Sequence, residues 1–137
     1  MNTIFLDTNI IIDFLADREP FSEDAAKLFD FSLKGKSKIY VSALSYNNIY
    51  YILRRQFSHI ETIKMLTALN EWTIMLEASK DIVNKSLQSD FTDFEDAIQY
   101  YSALTNQNIE CIVTRNTKDY KKSVLPVMTP REVLKCL

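Results

Sequence analysis

The stretch Thr3-Ile4-Phe5-Leu6-Asp7-Thr8-Asn9-Ile10-Ile11-Ile12 decides how the chain is read. A short β-branched and aromatic run ends at Asp-Thr-Asn, and a new apolar run follows. That is the pattern of a buried strand that stops at a turn, then of a helix capped by Thr8 or Asn9. Asp7 is thereby placed at the C-terminal tip of the first strand. In open parallel α/β sheets, ligands bind along that edge.

The rest of the chain repeats the alternation. Apolar runs of strand length lie at 3–6, 38–42, 73–77 and 110–114, with a weaker fifth at 125–129. Between them, Ala25-Ala26-Leu28-Phe29-Phe31, Ile49-Tyr50-Ile52-Leu53 and Ile63-Leu66-Leu69 carry helical spacing. So do Ile82-Val83-Ser86-Leu87 and Ala97-Ile98-Tyr101-Leu104. Strands alternating with helices imply parallel crossovers and a sheet covered on both faces. Gly35 is placed to stop a helix before the second strand. Thr129-Pro130-Arg131-Glu132 starts a last one, with proline at the first helical position.

At 137 residues, the chain is expected to form a single domain over 1–137. Apolar residues make up 47% and charged residues 25%, which excludes a disordered chain. No apolar run approaches the roughly 20 residues that span a bilayer. Asp7 and Asp13 interrupt the early apolar stretch, so no secretory leader is read there and a cytoplasmic location is expected. Cys111, inside Cys111-Ile112-Val113, reads as a buried structural thiol. With His59 alone and Cys136 near the C-terminus, the sequence does not support a zinc site. A net charge of −2 argues against broad, sequence-independent nucleic-acid binding, although a local basic rim can still steer an anion.

Further acids occur in Asp93-Phe94-Glu95-Asp96-Ala97 and at Asp119. Each has an ordinary alternative. Asp7 and Asp93 are both favoured helix caps, Glu95 points about a quarter turn from Asp96 and reads as surface, and Asp119 alone would be a loop acid. Far apart in sequence yet gathered at strand ends and helix starts, the acids together suggest a divalent-metal site.

The ordered set Leu6-Asp7-Thr8-Asn9, Val41-Ser42-Ala43-Leu44, Asp93-Phe94-Glu95-Asp96-Ala97, Thr114-Arg115-Asn116 through Asp119-Tyr120 and Thr129-Pro130-Arg131-Glu132 resembles the PIN-domain family. That family of metal-dependent nucleases includes the VapC-type toxins of toxin–antitoxin pairs. The resemblance spans essentially the whole chain. It implies a three-layer α/β/α PIN-like domain with a central parallel sheet of about five strands and an acidic pocket at its C-terminal edge. One or two Mg²⁺ or Mn²⁺ ions would be held there. Carried over by position, Asp7, Asp96 and Asp119 are the catalytic acids and metal ligands, with Asp93 and Asn116 as further candidates. Where the family usually has Glu, one turn into the helix after Val41-Ser42, this chain has Asn48 (or Asn47). Asn keeps an oxygen ligand but loses a charge, so metal affinity should fall, and Asn48→Glu is expected to restore it.

The activity implied is phosphodiester hydrolysis of RNA by an Mg- or Mn-dependent endoribonuclease. Arg115 and Lys118 flank the acids and are candidates to hold phosphate. Lys34-Lys36-Lys38 and Arg54-Arg55 could extend a strand path, although solvated faces are the plainer reading for the lysines. The aromatic helix around Tyr46-Tyr50-Tyr51 fits a protein-binding or dimer face better than base stacking. The resemblance likewise implies a homodimer and a small antitoxin lying across the pocket. A receiver domain would need an acidic pair after strand one, and an aspartyl phosphatase would need Asp-x-Asp where Asp7-Thr8-Asn9 stands. The serious rival is a catalytically weakened PIN-like domain that binds RNA or protein without cutting.

Overall fold

The computed structural model describes residues 2–137. Five strands, β1 (Thr3–Leu6), β2 (Lys38–Ser42), β3 (Ile74–Leu76), β4 (Cys111–Val113) and β5 (Val127–Met128), form one sheet in the order β3-β2-β1-β4-β5. Every pairing is parallel, as the crossovers predict. The helices are α1 (Thr8–Leu15), α2 (Ser22–Leu33), α3 (Ala43–Leu53), α4 (His59–Trp72), α5 (Lys80–Leu87), α6 (Phe94–Leu104) and α7 (Pro130–Leu134). A 3-10 turn over Thr117–Tyr120, which the sequence pattern did not announce, joins β4 to β5.

Strand alternation sorts the core into two layers. Ile4 and Leu6, Ile39 and Val41, and Cys111 and Val113 face one side, where they pack against α1–α4 and α7. Phe5, Tyr40 and Ile112 face the other, against Tyr100 and Ala103 of α6. This is the three-layer α/β/α arrangement. Among the described residues, no helix is long and apolar enough to cross a membrane.

Helix ends follow local chemistry. Gly35 adopts φ 74°, its N–H donates to Ser32 O, and the Lys36 N–H donates to Phe31 O. These two bonds satisfy the last carbonyls of α2 in a left-handed cap that a Cβ would strain. Ser58 with Glu61, and Thr129 with Glu132, form reciprocal capping boxes at α4 and α7. His59 is exposed and shares a hydrogen bond with Tyr50, whereas Cys111 is fully buried and its thiol is pushed up to about 12, chiefly by desolvation.

The start of α1 departs from expectation. Its cap residue is Asp7, not Thr8 or Asn9, and the Asp7 side chain makes no capping bond. After β1 the chain moves to β2 and β3 on one side, then returns to β4 on the other. The carboxyl ends of β1 and β4 therefore flank a switch point, where a crevice opens.

Candidate active site

Leu6 pairs with Val113, so the next residues, Asp7 and Thr114, meet at the mouth of this crevice. Thr114 Oγ1 donates to Asp7 Oδ2 at 2.7 Å, and Gln99 Nε2 donates to Asp7 Oδ1 at 3.1 Å. A cap would turn this carboxylate toward the amides of α1. Here Thr114 and Gln99 draw both oxygens inward, with the Asn9 and Thr8 backbone as weaker influences. Burial raises the Asp7 pKa, and the hydrogen bonds from Thr114 and Gln99 oppose that rise.

Gln99, almost wholly buried, organises the floor. Its Oε1 accepts from the Thr8 N–H at 2.9 Å and from Thr8 Oγ1 at 3.2 Å. The amide is thereby oriented, and Nε2 must face Asp7 and the Tyr120 hydroxyl, the latter at 3.3 Å. The Tyr120 hydroxyl in turn donates to Asp96 Oδ1 at 3.4 Å. Neither Gln99 nor Thr114 was singled out from sequence as a pocket residue. The readable signals were a lone amide inside the apolar face of α6 and a threonine at the tip of β4 matching Asp7 at the tip of β1.

The first turn of α6 brings the next acids. Asp93 caps the helix, its Oδ1 accepting from the Asp96 N–H at 3.0 Å. Asp96 is half-buried, and its carboxyl is pushed up to about 7, first by desolvation and then by the charges of Asp7, Asp93, Asp119 and Glu95. Asp119 and Asn116 are both exposed, Asp119 in the 3-10 turn, while the Asn116 N–H donates to Thr114 Oγ1 at 3.2 Å.

Glu95 is not a surface residue. Its Oε2 accepts from Asn48 Nδ2 and, at 3.4 Å, from Thr8 Oγ1, and its pKa is raised, largely by burial. Because α6 begins at the crevice, side chains a quarter turn either side of Asp96 still face it, and Glu95 shares a helix face with Gln99. Of the two asparagines of α3, Asn48 reaches Glu95 and Asn47 is exposed.

The two cations part company. Lys118 is exposed and borders, with Lys121 and Lys122, a hollow of about 110 Å³ that Asp119 alone of the site acids lines. Arg115, expected to hold phosphate, is instead bound to Asp13 through Nε at 2.7 Å and stacked 3.9 Å from the Phe21 ring centre. The buried Asp13 carboxylate captures the guanidinium on the α1–α2 side.

Among the described residues, no three Asp, Glu, His or Cys side chains are drawn close enough together to make a finished metal site. The chemistry of the donors nevertheless fits a hard divalent cation, because carboxylate, amide and hydroxyl oxygens are the groups such ions prefer. Among the described residues none of Asp7, Asp93, Glu95, Asp96 and Asp119 is in an ion pair, so the excess negative charge is of the kind a cation neutralises.

An all-parallel α/β/α domain with an oxygen-lined acidic crevice at its switch point is the class that fold and site define. The family model described as PIN domain matches residues 3–118, and the chain belongs to that family. Three solved structures share its fold at a TM-score of 0.67 each. A toxin–antitoxin complex from Klebsiella pneumoniae is 24% identical over 93% of this chain and 97% of the other. VapBC2 from Rickettsia felis, bound to a DNA fragment from its promoter, is 13% identical over 92% and 96%. The Mycobacterium tuberculosis toxin VapC20, which cleaves the sarcin–ricin loop, is 13% identical over 87% and 94%. No curated protein matches the chain in sequence.

Proposed function

We propose that this chain is a divalent-metal-dependent endoribonuclease, acting as one domain over 1–137 and serving as the toxin of a toxin–antitoxin pair. The observation that carries this reading is the charge surplus around Asp96: four further carboxylates act on it, and among the described residues none of the five is ion-paired. The likeness to a toxin that cleaves the sarcin–ricin loop supports RNA as substrate, and the likeness to a toxin–antitoxin complex supports a small protein partner.

Asp7, Asp96 and Asp119 would hold Mg²⁺ or Mn²⁺, with Asp93, Asn48 and Asn116 offering further oxygens. Such an ion, when bound, supplies Lewis acidity at a phosphoryl oxygen and makes water more acidic. The chain's own residues do the positioning. Gln99 and Thr114 fix both oxygens of Asp7. The Tyr120 hydroxyl donates to Asp96 Oδ1 and so orients that carboxylate. Lys118, exposed and bordering the same hollow as Asp119, would hold a phosphate of the strand. Tyr51 on α3 and Ile60 and Ile63 on α4 are exposed and offer an apolar face for a homodimer or antitoxin. The toxin role places the protein in the cytoplasm, where its RNA is.

A second reading, a PIN-like domain that binds RNA or protein without cutting, is favoured by Asn48, an amide where a carboxylate is expected. One experiment separates the two. Calorimetric titration of Mn²⁺ into wild type and Asp7→Asn should show binding in the first and its loss in the second. Cleavage of RNA should vanish in chelator and in Asp96→Asn. Equal Mn²⁺ binding by both proteins removes Asp7 from the site, and binding of RNA without metal-dependent cleavage establishes the second reading.

A further inference from the structure

We infer that Glu95 supplies the carboxylate that Asn48 does not, so that the pocket draws this anionic oxygen from α6 instead of α3. The inference rests on the metal-dependent reading above and concerns residues that reading left aside.

Two elements, α3 and α1, converge on Glu95. Asn48, half-buried on α3, donates its Nδ2 to Glu95 Oε2. A carboxylate offers only acceptors, so the amide must turn its NH₂ toward it. The same Oε2 accepts from Thr8 Oγ1 at 3.4 Å, and Thr8 directly follows Asp7. Thr8 Oγ1 is bonded in turn to Ser45 Oγ at 2.8 Å, and Ser45 lies three residues before Asn48 on α3. Among the described residues Glu95 Oε1 has no hydrogen-bond partner and Glu95 has no ion pair, so one of its oxygens is uncommitted beside Asp7 and Asp96.

Seen this way Asn48 complements Glu95. An amide on α3 facing a carboxylate on α6 carries the same charge as the reverse arrangement. Placing Glu at 48 would set two carboxylates in direct contact and remove the donor that orients Glu95. Asn48→Glu therefore brings no gain in metal affinity, against what position 48 alone suggests.

The test is Mn²⁺ affinity by calorimetry for wild type, Asp7→Asn, Glu95→Gln, Asn48→Glu and the exchanged pair Asn48→Glu/Glu95→Gln, with metal-free melting curves as the folding control. Glu95→Gln keeps the shape and loses the charge; it should bind Mn²⁺ about tenfold or more weakly, the scale on which supporting groups act on a metal site. Asn48→Glu should bind no more tightly than wild type, and the exchanged pair should regain most of the affinity lost in Glu95→Gln. If wild type binds, Asp7→Asn does not, and Glu95→Gln binds like wild type, this inference fails while the metal-dependent reading stands. If wild type itself binds no Mn²⁺, both fail together. Should Glu95→Gln not fold, Asn48→Glu decides alone: tighter binding than wild type overturns the inference.

Discussion

Arg115 grips Asp13 through two hydrogen bonds, Nε to Oδ2 at 2.7 Å and a terminal nitrogen to Oδ1 at 3.3 Å, although Asp13 has no exposed surface. Arg18, at 3.8 Å, is the only other cation paired with it among the described residues. Desolvation raises the Asp13 pKa, and Arg115 is the largest opposing influence. Removing Arg115 would leave the buried carboxylate with only the longer contact to Arg18. Arg115→Met should cost about 3 kcal/mol of stability in urea unfolding, while RNA affinity per folded molecule changes little. The reverse pattern, intact stability with weakened RNA binding, would return Arg115 to the phosphate path.

Gln99 has a comparable structural burden. Gln99→Leu leaves the Thr8 N–H and Asp7 Oδ1 without their partner. The expected loss is about 2–3 kcal/mol, the cost of stranding buried polar groups, accompanied by weaker Mn²⁺ binding because Asp7 is no longer oriented. A variant as stable as wild type with unchanged Mn²⁺ binding would show that the bridge does not matter.

Acid titration gives a prediction of definite sign. Asp96 ionises near 7 in the folded chain against a usual value of 3.8. Between those values the folded state keeps a proton that the unfolded state has released, so this group lowers stability progressively as pH rises through that window. Below it the group makes no difference. Asp7 and Glu95, also raised, act in the same direction. Metal-free protein should therefore melt several degrees higher near about pH 5 than near about pH 8. Mn²⁺ should narrow the gap and Asp96→Asn should shrink it; a melting temperature flat across this range would contradict the charge arrangement.

Lys118 tests the nucleic-acid surface. Lys118→Ala should weaken RNA binding similarly for different sequences, and the slope of log affinity against log salt should fall by about 1. An unchanged slope would move the phosphate path elsewhere, for instance to Lys36 and Lys38.

The strands were legible because each is a short apolar run bounded by polar turns, and the parallel order followed from alternation with helices. Asp7 was legible too, since a carboxylate directly after an apolar strand is conspicuous. The hydrogen bonds that hold it were not, because Gln99 and Thr114 lie 92 and 107 residues away: the β1–β4 pairing brings in Thr114, and the packing of α6 against the sheet brings in Gln99. Glu95 was misjudged for a geometric reason. A helical wheel assumes one wet face, whereas the first turn of α6 borders a crevice on more than one side. The pairing of Arg115 was not legible either, because its partner, Asp13, is a buried acid on α1 that reads as part of an amphipathic pattern.

The long reach of those bonds has a consequence for synthesis on the ribosome. β1 is made first but sits at the centre of the sheet, and its β4 neighbour emerges only after Cys111. Until then one side of β1 is an unpaired edge, and Asp7 lacks the Thr114 hydroxyl that anchors it. A nascent polypeptide, or a product truncated before β4, therefore cannot assemble this pocket. The pocket is completed only once β4 has been made and has paired with β1, an order set by topology.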